Sequence, residues 1–212
     1  MYLNLKKEMI TTINDAVVST PMVIQQLLRL HQVVCGHIKT DDGVEHDLPN
    51  NRLEALLEVI DELNGKIIIW ATYRRDVVRI VQELTSRFGS TSVVSYYGDT
   101  DTADRRSAVA SFSDPNSGVR FFVANPATGR YGLTLTESPN CIYYSNSYDL
   151  EHRTQSEDRI HRIGQTAAKC TYVDLVVRKS VDEKILRTLR DKKKIGAEIK
   201  GDEIVSWIAE DL

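Results

Sequence analysis

At 212 residues, with 42% hydrophobic and 27% charged positions, the chain has the composition of a globular protein and not of a disordered one. A formal charge of −3 gives no basic excess, so any nucleic-acid contact must come from a local, salt-sensitive patch. No apolar run reaches the roughly 18 residues of a membrane span, and "MYLNLKKEMI" lacks the apolar core of a signal peptide. The three cysteines are widely spaced with no CxxC, so the expected setting is reducing and intracellular, cytoplasmic by default, with no membrane partner.

The first 64 residues read as helical. Ser19-Thr20-Pro21 is an N-cap with proline at the first helical position, and Gly36 stops the helix that follows. "IKTDDGVEHDLP" reads as a turn-rich connector. Asn51 and Glu54 then form a capping-box pattern, opening a helix that carries Leu53, Leu56, Leu57, Ile60 and Leu63 on one side and stops at Gly65. Beyond it, short apolar runs alternate with helical patterns. "KIIIWA", "SVVSYY", "VRFFVA", "CIYYS" and "CTYVDLVV" read as strands. Residues 75–88, "DTADRRSAVASF", the segment holding "QSEDRIHRIGQ" and residues 181–193 read as helices, and "GAEIKGDEIVSWIAEDL" as a terminal helix around Trp207. This is the pattern of an α/β domain, a parallel sheet with helices on both faces, preceded by an N-terminal helical extension. The expected boundaries are 1–50 for the extension and connector, 51–195 for the α/β domain and 196–212 for the tail.

Ligands of such sheets bind at the carboxyl ends of the strands, so functional residues are expected just after positions 71, 97, 124 and 145. There the loops carry "TYRRD" with Arg74 and Arg75, "YYGDTDTADRR" with Gly98 permitting a tight turn, "NPATGRYGLTLT" and "NSYDLEHRTQ". Small, hydroxyl-rich loops of this kind can turn backbone N–H groups toward an anion. In "QSEDRIHRIGQ", Gln155, Arg159 and Arg162 stand at i, i+4 and i+7, which a helix would place on one face. Ile160 and Ile163 would then anchor the other side in the core. Arginine suits phosphate because its planar fork stays charged and bonds in pairs.

"QSEDRIHRIGQ" resembles motif VI of the Swi/Snf-like class of superfamily two helicases and DNA translocases, Q-A-x-D-R-x-H-R-I-G-Q. Upstream, "KIIIWATYRRD" is similar to motif IV, "YYGDTDTADRRSAVASF" to the G-S-T-x-x-x-x-R segment, and "ATGRYGLTLTESPNCIYYSNSYD" to motif V, in the family's order. The resemblance covers roughly residues 50–190 and implies a RecA-like C-terminal lobe. By position, it makes Arg162 the arginine finger and Arg159 the second γ-phosphate arginine. Gln155 and Gly132 join the nucleotide-cleft network with Asp158, which orients the arginines and is not taken as a Mg²⁺ ligand. Arg74, Arg75, Gly98 and Thr100 face the nucleic-acid backbone. Motif V departs from the family's S-T-R-A-G-G-x-G-x-N-L at Pro126, Arg130 and Thr134, and Thr128 or Thr134 takes over its phosphate contact.

The resemblance implies ATP with Mg²⁺ as the cofactor, bound jointly with a first RecA-like lobe in cis or in trans, and double-stranded DNA as the partner. The phosphate loop that the first lobe supplies, G-x-x-x-x-G-K-[ST], is absent from this sequence. "DELN" at 61–64 imitates an acidic box but ends an amphipathic helix. The expected function is the second motor lobe of an ATP-dependent DNA helicase or translocase, inactive as an ATPase without the first. The alternative is a non-enzymatic DNA- or partner-binding module that keeps the fold. A dinucleotide-dependent oxidoreductase would need G-x-G-x-x-G after its first strand, which is missing. His31, Cys35 and His37 lack an evident fourth metal ligand and read as packing, so no metal site is expected.

Overall fold

The computed structural model describes residues 2–5, 20–40, 42–128 and 133–191. The expected terminal helix around Trp207 lies outside these residues, as do Ser19, Arg130 and Gly132. The chain divides into two compact units, one drawn from residues 1–51 and 176–212, the other spanning Arg52–Leu175.

In the first unit, helix α1 (Thr20–Val34) ends at Gly36, whose φ of 84° is open to glycine and strained for other residues. A Cβ there would also stand 1.8 Å from Asn50 Nδ2, so the chain crossing at this point excludes any side chain. The segment read as a connector is an antiparallel hairpin, β1 (His37–Lys39) with β2 (Glu45–Asp47). Strands of three residues leave too little alternation to be seen in the sequence. The turn is closed by Gly43 N donating to Thr40 O at 2.9 Å, with Gly43 at φ 86°. The unit is completed by the amphipathic helix α6 (Val181–Arg190), begun by the Ser180 hydroxyl accepting from Asp182 N. His31 on α1 pairs with Asp182 on α6 at 3.5 Å, both buried.

The second unit is the parallel sheet. Helix α2 (Arg52–Glu62) begins one residue after Asn51 and leads into β3 (Ile67–Trp70). Helix α3 (Arg74–Phe88), β4 (Val93–Tyr96), α4 (Thr102–Ser113), β5 (Phe121–Ala124), β6 (Asn140–Tyr143), α5 (Leu150–Glu157) and β7 (Thr171–Asp174) follow. The strand order is β4-β5-β3-β6-β7 and every pairing is parallel.

Because strand side chains alternate between faces, each apolar run feeds two cores. Ile68, Trp70, Phe122, Ala124, Cys141 and Tyr143 join Ala108 and Phe112 of α4 on one face. Ile67, Ile69, Phe121, Val123, Ile142 and Tyr144 join Leu56 and Ile60 of α2 and Val77, Ile80 and Leu84 of α3 on the other. Helices therefore cover both faces, as the continuous apolar strands require. Burial of this kind stabilises by about 25 cal/mol per Å² of apolar surface.

The polar groups at the amino ends of the strands are tied to main chain. Arg120 Nη2 donates to Leu63 O at 2.9 Å and Ile60 O at 3.3 Å, and its Nε to Gly65 O at 3.2 Å. Ile60 O, which also accepts from Leu63 N at 3.3 Å, belongs to the last turn of α2, and the Leu63 and Gly65 carbonyls follow that helix end. Lys66 Nζ donates to Asp114 O at 2.7 Å, Ser138 Oγ to Lys66 O at 2.7 Å, and Asn140 Nδ2 to Asn64 O at 2.7 Å.

Candidate nucleotide and nucleic-acid site

At the opposite edge, the loops leaving β3, β5 and β6 are bracketed together. Thr72 N donates to Ser145 Oγ at 2.9 Å, and Thr72 Oγ1 to Ser145 O at 3.1 Å. Asn125 Nδ2 donates to Thr72 O at 2.6 Å, while its Oδ1 accepts from Ala127 N at 2.8 Å. Three strand exits thus share one hydrogen-bond set. Nothing in the sequence marks these polar residues as partners, because they bond across 53 to 73 positions.

The arginines after β3 open helix α3. Arg74 forms an ion pair with Asp99 from the loop after β4, with 70% and 51% of the two side chains exposed. That loop is organised by Arg105, whose Nη2 donates to Tyr97 O at 3.0 Å and Gly98 O at 2.8 Å, its guanidinium lying over the Tyr96 ring. Thr100 closes the turn, its N donating to Tyr97 O at 3.1 Å and its Oγ1 accepting from Tyr97 N at 3.3 Å. Gly98 has no positive φ and nothing within 4 Å of a built Cβ, so the turn does not need glycine for its backbone angles. What glycine leaves there is an uncovered backbone. Asp101 caps α4 through Asp104 N at 2.8 Å. Thr128 N donates to Asn125 O at 3.1 Å in the loop after β5, and Arg75 is half-buried.

The segment read as one continuous helix is not one. Helix α5 ends at Glu157, and residues 158–164 run in turns. Main-chain bonds there turn mixed, with three-residue spans from Arg159 N to Ser156 O at 3.4 Å and Ile160 N to Glu157 O at 3.1 Å beside one helical span from His161 N to Glu157 O at 3.1 Å, and Gly164 follows at φ 106°. The cause is tertiary: Ile160 is fully buried, and Leu135 N takes Arg159 O at 3.0 Å, an acceptor a continuing helix would have used itself. Ile163 is 99% exposed and anchors nothing, contrary to the expectation from helical spacing.

Arg159 and Arg162 still converge, by another route. Both reach the segment after the motif V loop: Arg159 Nη1 donates to Leu133 O at 3.5 Å, Arg162 Nη1 to Leu133 O at 3.3 Å and to Thr134 Oγ1 at 3.0 Å. Arg162 Nε and Nη2 make no hydrogen bond among the described residues and the residue is exposed. Gln155, on the last turn of α5, donates from Nε2 to Glu151 Oε1 at 2.7 Å, while its own Oε1 is buried and accepts no hydrogen bond among the described residues. Asp158 is the C-cap residue of α5; its exposed carboxylate touches neither arginine among the described residues.

Two further residues matter that sequence spacing did not reveal. Arg52 at the start of α2 is buried, donating to Tyr144 O and, at 3.1 Å, to Leu175 O, and so pins the exits of β6 and β7. Arg153 on α5 lies 3.6 Å over the Tyr143 ring and bonds Asp174, Glu157 Oε1 at 2.6 Å and Asn146 Oδ1 at 2.9 Å. Despite burial, which alone would lower it, bonding to Asp174 holds the Arg153 guanidinium above the usual arginine range. Burial likewise pushes the Tyr143 phenol upward and Tyr172 up to about 12. Tyr143 keeps its proton and is bonded to Ser156 Oγ at 2.7 Å, locking α5 to β6.

Residues 51–164 match the family described as helicase conserved C-terminal domain. Protein CHROMATIN REMODELING 4 of Arabidopsis thaliana is 27% identical over 168 residues, covering 76% of this chain and 8% of that protein. The SWI2/SNF2 ATPase C-terminal domain of Sulfolobus solfataricus has the same fold, with a TM-score of 0.65 at 20% identity over 94% of this chain and 83% of that one. The SWI2/SNF2 ATPase core of the same organism, solved in complex with dsDNA, gives 0.69 at 24% identity over 99% of this chain and 44% of that one. The RecA-like lobe expected from the motif order is thus the fold observed.

Proposed function

The chain belongs to the helicase conserved C-terminal domain family, and from that premise we propose that it is the second motor lobe of a Swi/Snf-like, ATP-dependent DNA helicase or translocase. The observation that carries the reading is the convergence of Arg159 and Arg162 on Leu133 O, with the Nε and Nη2 side of Arg162 turned to solvent. Such a fork suits the γ-phosphate of ATP, whose developing charge an arginine stabilises by roughly 10³ to 10⁵ in rate. The buried, unmatched acceptor of Gln155 supports a ligand that brings a donor, such as a ribose hydroxyl or an ordered water. ATP supplies the phosphoryl group; what this chain contributes is positive charge held in place before the nucleotide arrives.

In this reading the remainder of the cleft, with the phosphate loop and the acidic ligands of Mg²⁺, comes from a first RecA-like lobe in cis or in trans. Among the described residues no three His, Cys, Asp or Glu side chains gather as metal ligands. Gln155 and Asp158 precede the arginines in sequence, and Gly132 immediately precedes Leu133, on which they converge. Duplex DNA is the partner of the other strand-end loops. Arg74 and Arg75 stand at a helix N-terminus, where the macrodipole disfavours cations and draws anions. With the open backbone at Gly98, and with Thr100 and Thr128, they offer donors to one phosphate strand. The reading places the protein inside the cell, where ATP and duplex DNA are found.

The test is ATP hydrolysis with and without duplex DNA, by this chain alone and with the phosphate-loop polypeptide encoded nearest to it. Activity only in the combination, stimulated by DNA and lost in Arg162→Ala, is the expected result. DNA binding without hydrolysis in any combination would replace the motor by a binding module that keeps the fold.

A further inference from the structure

Thr134 stands where the family's motif V carries asparagine, and the resemblance offers it, with Thr128, only as a phosphate contact. Its hydroxyl is the nearest acceptor to Arg162 Nη1, at 3.0 Å, and Leu133 O accepts from the same nitrogen at 3.3 Å. The backbone beneath is fixed: Leu133 and Leu135 are buried on either side of Thr134, and Leu135 N donates to Arg159 O at 3.0 Å. Arg162 has no other hydrogen bond or ion pair among the described residues, so this one nitrogen settles where the guanidinium points. A planar guanidinium gripped at Nη1 has its rotation about Cζ–Nε stopped, and its Nε and Nη2 donors are left as a pair at a set angle.

We propose that Thr134 is a positioning residue for Arg162: its hydroxyl holds the guanidinium by one nitrogen and orients the remaining donors toward an incoming phosphoryl group. The inference rests on the reading of Arg162 as the γ-phosphate arginine. It adds a direct link between the segment following the motif V loop and the arginine, since any shift of residues 133–135 carries the fork with it. Orientation fixed in advance spares the transition state the cost of collecting a mobile side chain. Loss of the hydroxyl should therefore lower kcat more than it raises KM.

Two measurements test this. The first uses the 212-residue chain itself, with ¹⁵N-arginine labelling and rotation about the Arg162 Cζ–Nε bond as the readout. Rotation is slow in the native chain and in Thr134→Ser, and faster in Thr134→Val, which keeps shape but lacks the hydroxyl. The second measures hydrolysis in the active combination with the phosphate-loop polypeptide. There Thr134→Val lowers kcat by roughly fivefold, the worth of one hydrogen bond of about 1 kcal/mol, with KM for ATP little changed, and Thr134→Ser restores it. Equal Arg162 mobility in the native chain and Thr134→Val overturns the proposal. So does an unchanged kcat in Thr134→Val where Arg162→Ala is inactive, an outcome that leaves the motor reading standing. Full activity in Arg162→Ala instead removes the γ-phosphate role, and this proposal goes with it.

Discussion

Arg120 and Arg74 belong to the same sheet unit and to opposite edges of it. Arg120 sits past the C-terminus of α2, where it donates to the carbonyls of Ile60, Leu63 and Gly65 and lies against the paired rings of Phe88 and Phe121. Its charge matches the negative pole of the helix. Arg74 opens α3, at a positive pole, and its one carboxylate partner is half exposed. One arginine satisfies the fold, whereas the other is kept at some cost to it. The same contrast runs along both edges. Lys66, Ser138 and Asn140 spend their donors on main chain at the amino ends of the strands. At the carboxyl ends, among the described residues, Arg162 keeps donors unspent and Gln155 keeps a buried acceptor without a partner. Polar residue content alone does not separate the two edges, and donors of Thr72, Asn125 and Arg105 end on main chain at the carboxyl ends too; the difference lies in the few groups there left unmatched.

That contrast can be broken by exchanging what is removed. Arg162→Ala should cost the active combination roughly 10³-fold or more in hydrolysis, with the melting temperature nearly unchanged; a large loss of stability instead would place Arg162 with the structural arginines. Arg153 tests the opposite case, a residue at the working edge that is bound like a structural one. Its removal leaves the partly buried Asp174 without its cation, at a cost of about 2–3 kcal/mol, below the roughly 3–5 kcal/mol of a fully buried pair, measured by urea unfolding of Arg153→Ala. A value below about 1 kcal/mol, the worth of an exposed ion pair, would mean the cluster is wetter than its geometry implies. Arg120→Ala should lose about 1–3 kcal/mol of stability as helix carbonyls go unsatisfied, yet leave kcat in the combination intact. A fall in kcat with stability unchanged would reverse the assignment of the two edges. Smallest is Arg74→Ala, which changes stability by under about 0.5 kcal/mol. It reduces the slope of log affinity for duplex DNA against log salt by about 0.9. An unchanged slope would remove Arg74 from the phosphate track.

The sheet was readable in the sequence because residues 67–71 and 121–124 are apolar at every position, rich in β-branched and aromatic residues and too short for a helix, the pattern of strands buried on both faces. The edge that carries the candidate site followed from strand direction alone. The arginine turn did not. Its i, i+4, i+7 spacing is equally good for a helix, and the helix is stopped by partners from another part of the chain, the Leu135 amide and the pocket that takes Ile160. The hairpin at 37–47 escaped for a different reason, since three-residue strands fall below any period. Arg52, Arg153 and Asn125 were visible as residues but not as parts of the site, because each is defined by a contact 21 to 123 positions distant.

The ending of α5 at Glu157 also sets how movement can pass through this edge. A rod would carry Gln155 and both arginines as one body, and a tilt anywhere along it would displace all three. Here the rod is clamped to β6 and β7 through Tyr143 and Arg153, and the arginines ride beyond it on a short bend fastened to residues 133–135. A displacement of residues 133–135 would act on the fork through contacts separate from those that hold the helix to the sheet, so the two can be loaded independently.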